Sequence, residues 1–124
     1  MQTFLWSLLT RLIPNSVKTI GKSFFEDSIS LEEVKFSNKL KVIKSRTFSD
    51  CRSLKSVEIP KKVKKIEEYA FAGCTSLNLT IPDSVKEIGE NAFLDVPNVN
   101  YNVLAIGSPW GAKAINGVDP IETM

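Results

Sequence analysis

Apolar residues recur along this chain at a long, fixed interval. Ile20, Ile43, Ile66 and Ile88 stand 23, 23 and 22 residues apart, and Phe25, Phe48, Phe71 and Phe93 repeat the same three steps. Val17, Leu40, Val63 and Val85 form a third column, and Ile13, Phe36, Ile59 and Ile81 a fourth. Four columns in one register mark a repeated unit of 22–23 residues, present at least three times. Such a unit cannot bury its apolar face alone and must stack on its neighbours. Val57-x-Ile59 alternates as a strand with one buried face does. Pro60 ends that strand at a corner, where its missing N–H does no harm. Val63-x-x-Ile66 turns a second side inward, and Ala70-Phe71-x-x-Cys74-x-x-Leu77 has the three-residue spacing of a helical turn. The pattern predicts a solenoid with parallel strands on one face, short and helical turns on the other, and a phenylalanine column dominating the core. One residue is missing between Leu77 and Leu79, which accounts for the 22-residue step; a surface bend is where such a loss is expected.

The ends follow the same frame. Residues 7–14 align with 53–60 without a gap, so residues 1–14 read as the tail of an incomplete repeat and the chain as one that begins in mid-coil. That leaves an apolar end near Leu8 and Ile13, with self-association or fraying as the expected consequence. The solenoid proper is expected over residues 15–103. Ser108 as N-cap, Pro109 at the first helical position and Gly117 at the stop predict a small capping helix within residues 104–117. Trp110 and Ile115 should lie on the last coil's open core, with 118–124 as a tail.

Spaced positions of this kind closely resemble the BspA-like (Treponema pallidum type) leucine-rich repeats. The stretch Ile81-Pro82-Asp83-Ser84-Val85-Lys86-Glu87-Ile88-Gly89-Glu90-Asn91-Ala92-Phe93 is the nearest match. Departures are Ser28 and Val96 in the cysteine column, Ser37 for proline and Lys44 for glycine. The resemblance implies a leucine-rich repeat solenoid and a non-catalytic role in protein–protein or cell-surface and glycan contact. It also implies a secreted or surface location, although residues 1–9 lack the basic start and cleavage site of an export signal. The competing expectation is a structural spacer, or a fragment of a larger surface protein, with no binding activity of its own.

Composition narrows the chemistry. There is no histidine, which removes imidazole-based catalysis and imidazole metal ligation. Two cysteines are too few for a zinc cluster; Cys51 and Cys74 share a column and read as buried free thiols. No phosphate loop or paired catalytic carboxylates occur, so neither an enzyme nor a cofactor is expected. A net charge of +2 argues against nucleic acid, and no segment is long enough to span a membrane.

Two candidate surfaces remain. Lys18, Lys41, Lys64 and Lys86 occupy one column, with Lys39, Lys61, Lys62 and Lys65 nearby. Coils about 4.8 Å apart would line these ammonium groups into a row, able to meet an anionic glycan or acidic protein or simply to stay solvated. The strand face should present Glu33, Lys35, Ser56, Glu58, Asn78 and Thr80, with Lys35 beside Glu58. Asn78-Leu79-Thr80 is a glycosylation sequon placed in a strand, a poor acceptor context.

Overall fold

The computed structural model describes residues 10–14, 16–36, 38–101 and 110–115. Among the described residues the chain coils through eight short strands, six of which form two ladders. The first ladder pairs β1 (Thr10–Leu12), β2 (Glu33–Lys35) and β4 (Ser56–Glu58), all parallel. The second pairs β3 (Val42–Ile43), β5 (Lys65–Ile66) and β7 (Glu87–Ile88), again parallel. A further pair, β6 (Asn78–Thr80) with β8 (Asn98–Asn100), stands beyond the first ladder. Register follows the repeat: Thr10 lies opposite Glu33, which lies opposite Ser56, and Ile43, Ile66 and Ile88 succeed one another. The gapless match of the N-terminal segment is thus visible in β1, while residues 7–9, Leu8 among them, lie outside the described residues.

Side-chain columns hold these coils together. Phe25 and Phe48 stack at 5.3 Å between ring centroids and Phe48 and Phe71 at 5.1 Å, with planes within 10° in both pairs. Phe93 continues the column at 6.0 Å from Phe71, and Phe36 meets Phe48 edge-on at 5.7 Å. Leu54, Val63, Ile66, Leu77, Leu79 and Val85 are fully buried around this spine. Successive rings cover one another from coil to coil, so burial is a property of the stack.

The segment opposite the first ladder keeps the three-residue spacing without becoming helix. Ala72 N–H donates to the Tyr69 carbonyl, Cys74 N–H to that of Phe71 and Leu77 N–H to that of Cys74. Between these turns, Phe71 N–H and Gly73 N–H donate to the next coil, at the carbonyls of Ala92 and Leu94. Backbone in the left-handed region enforces the alternation: Ser23, Arg46, Tyr69 and Asn91 form one such column, and Asp27, Asp50, Gly73 and Asp95 another. A helix would turn every N–H back on its own coil; these turns share them with the neighbour.

The residue missing between Leu77 and Leu79 falls outside β6, in the connection that leads from the exposed Thr75–Ser76 turn into its mouth. β4 and β6 lie side by side, yet no ladder forms between them. One bond remains, from Asn78 N–H to the Lys55 carbonyl at 3.4 Å.

At the C-terminal side, Tyr101 takes the column of Ile81 and its hydroxyl donates to the Val85 carbonyl. Burial, and then the charge of Asp83, raise its pKa. Trp110 closes the phenylalanine spine edge-on to Phe93 at 5.8 Å, and Ile115 is buried and bridges Val99 in parallel. Both residues therefore sit on the last coil as expected. The described part of the expected capping helix, 110–115, is a turn followed by this bridge; the rest of it and the tail lie outside the described residues. At the other end Leu12, Phe24 and Ile29 are 55%, 65% and 60% exposed, and Ile13 is half-buried.

Candidate interaction surface

Strand alternation decides which side chains reach solvent. In β4 and β6, Val57 and Leu79 point inward, and Ser56, Glu58, Asn78 and Thr80 are exposed. In β2, Lys35 is exposed and Glu33 half-buried. Register sets Lys35 opposite Glu58, whereas ion pairs form at Lys55–Glu32 at 3.9 Å, Lys65–Glu87 at 4.0 Å and Lys113–Asp95 at 3.9 Å. All three are exposed, which makes each worth under about 1 kcal/mol. Sequence reasoning missed β8, whose amides tie this face together. Asn100 Nδ2 donates to Asn78 Oδ1 at 3.1 Å and to Thr80 Oγ1 at 3.4 Å. The asparagine of the sequon is thereby engaged by a neighbouring strand. Asn98 and Asn100 escaped notice because they follow Asn78 and Thr80 by 20 residues, outside the 22–23 spacing.

The lysine column lies on the side of the second ladder. Lys18, Lys41, Lys64 and Lys86 are all exposed. Lys64 N–H donates to the Lys41 carbonyl at 2.9 Å, and Lys86 N–H to the Lys64 carbonyl at 3.0 Å, so these three rise in direct succession. Around its N-terminal half opens a groove of about 430 Å³. Lys18, Lys39, Lys41, Lys44 and Lys62 line it together with Thr19 and Val42, and among the described residues no carboxylate does. Lys44, the residue standing in the glycine column, was not singled out by the spacing; only the three-dimensional groove joins it to the others. Further along, charge becomes mixed, as Lys22 and Lys65 share a concavity with Glu67, Glu68 and Glu90.

Chemistry elsewhere is quiet. Cys51 and Cys74 are free and fully buried. Each thiol donates back one coil, Cys51 to the Phe25 carbonyl at 3.1 Å and Cys74 to the Phe48 carbonyl at 3.0 Å. The neighbouring Cys51 thiol, followed by burial, pushes the Cys74 pKa up. Among the described residues no three His, Cys, Asp or Glu side chains gather as a metal site, and no helix is long and apolar enough to cross a membrane.

Similarity to known proteins follows the fold. A leucine-rich repeat protein from Bacteroides ovatus superposes with a TM-score of 0.70 at 32% identity, over 90% of this chain and 32% of that one. The pneumococcal vaccine antigen PcpA gives 0.71 at 18% identity, over 88% and 28%. The Treponema pallidum leucine-rich repeat protein gives 0.62 at 21%, over 89% and 70%. The chain thus spans about a third of the length of the Bacteroides structure. No curated protein matches it in sequence. Residues 2–107 match the BspA type leucine rich repeat region in six copies, which extends the count of units beyond those the columns alone establish. With both the repeat and the solenoid in agreement, the chain belongs to the BspA-type leucine-rich repeat family.

Proposed function

We propose that this chain is a non-catalytic interaction module that meets an acidic protein or anionic glycan through its lysine edge. The observation that carries this reading is the lysine column, stacked coil on coil beside a groove whose described lining holds no carboxylate. Like charges held a few ångströms apart repel, and an anionic partner relieves that repulsion while gaining several contacts at once. The strand face is secondary: it is polar, and in β2, β4 and β6 it presents none of the Trp, Tyr or Arg anchors that make strong contacts. A place outside the cell agrees with the vaccine antigen among the structural relatives.

Retention on a heparin-like resin tests the reading. The wild-type chain is expected to elute only with added salt, and Lys41→Glu/Lys64→Glu to elute in the void. Equal elution of the two would remove the lysine edge as a binding surface. Inertness across a ligand screen as well would favour the spacer role.

A further inference from the structure

The second ladder stops one coil short of the first. β1 carries the first ladder to residues 10–12, but residues 18–20, one repeat before β3, form no strand. β3 is therefore an edge. In later coils the N–H groups of this column face the preceding coil: Lys64 donates to Lys41, Lys86 to Lys64, Glu67 to Ile43 and Gly89 to Ile66. The equivalent donors at the edge are Lys41 and Lys44, and neither N–H has an acceptor among the described residues. The lysine-lined groove opens at this unjoined step, flanked by Lys18 and Thr19 on one coil and by Lys41, Val42 and Lys44 on the next.

Two requirements are thus superposed in one place. Unpaired N–H groups along a strand edge call for carbonyl acceptors at strand spacing, which an extended peptide supplies. Five lysines call for negative charge and oppose pairing with the same edge of a second copy. Among the described residues no aromatic ring lines the groove on which a sugar face could rest. We propose that this groove docks an extended acidic segment of a partner protein, its backbone added to the edge of β3 and its carboxylates set among the lysines. The proposal rests on the interaction-module reading and narrows it to one place and one partner chemistry.

A fluorescent peptide of alternating glutamate and threonine, titrated against the whole chain by anisotropy, tests it. Binding is expected to weaken about tenfold or more in Lys41→Glu/Lys44→Glu, and by a similar factor when alternate peptide amides are N-methylated at unchanged charge. Lys64→Glu/Lys86→Glu, outside the groove, is expected to change it far less. Should the first variant fail to fold, Lys18→Gln/Lys62→Gln probes the same lining. Equal affinity for the N-methylated peptide, or tighter binding of a heparin fragment, would overturn strand addition in favour of a simple charge patch or a glycan. Absence of peptide binding alongside Lys41/Lys64-dependent resin retention would overturn the groove proposal alone. Loss of both would remove the interaction reading too.

Discussion

The two ladders run along the same stack of coils and fail at different points. The first reaches β1 but breaks between β4 and β6, where a residue is missing at the strand's mouth. The second crosses that level unbroken from β5 to β7 yet ends at β3, beside the basic groove. The phenylalanine spine passes both faults without interruption. Apolar columns therefore hold the solenoid, and backbone pairing is a local result of chain length and path between them.

Breaking the spine should damage both ladders at once. Phe71→Ala is expected to cost about 3–5 kcal/mol by urea unfolding, with faster amide exchange in β4, β5, β6 and β7 alike. Loss confined to one ladder would contradict the primacy of the columns. Gly89→Ala should separate the ladders instead. A Cβ there would stand 2.5 Å from Glu68 N and 2.9 Å from Glu67 C, backbone atoms that cannot swing aside. A cost of about 1–3 kcal/mol is expected, with exchange accelerated at β7 and unchanged at β8.

The thiol column lies outside both ladders, and its two members shift in opposite directions, Cys51 lowered by the Cys74 thiol and Cys74 raised by that of Cys51. Because the Cys74 pKa is raised in the folded chain, its contribution is full below the ordinary thiol value near about 8.5 and falls as pH rises above it. Urea stability is expected to decline by at most about 1.4 kcal/mol per pH unit from this thiol. Cys74→Ser, which repeats the residue found at Ser28, should flatten that decline. Restoring the missing residue, by inserting serine between Leu77 and Asn78, is expected to slow exchange at the start of β6 by joining it to β4. Its effect on the urea midpoint should stay within about 1 kcal/mol, that of a few net hydrogen bonds at a strand mouth. Smallest of all, Lys41→Glu/Lys64→Glu should change stability by no more than about 0.5 kcal/mol, since both side chains are exposed.

Much of this was legible in the sequence because burial is periodic and side chains report it. Ile20, Phe25 and Val57 announce their columns by spacing alone, and Lys41 or Glu58 is placed outward by its neighbours turning inward. Val63-x-x-Ile66 showed an inward side but not a strand, since two residues of pairing are too few to leave an alternation. Asn98, Asn100 and Tyr101 were hidden by a shortened last coil, and Lys44 by standing in a glycine column. What the amino-acid pattern determined by itself is the stack, its core and its outward residues. The tertiary structure alone decided where each ladder breaks and where the groove opens. The reason is physical: apolar burial is set residue by residue along one chain, whereas a backbone N–H is satisfied only by the path another coil takes beside it.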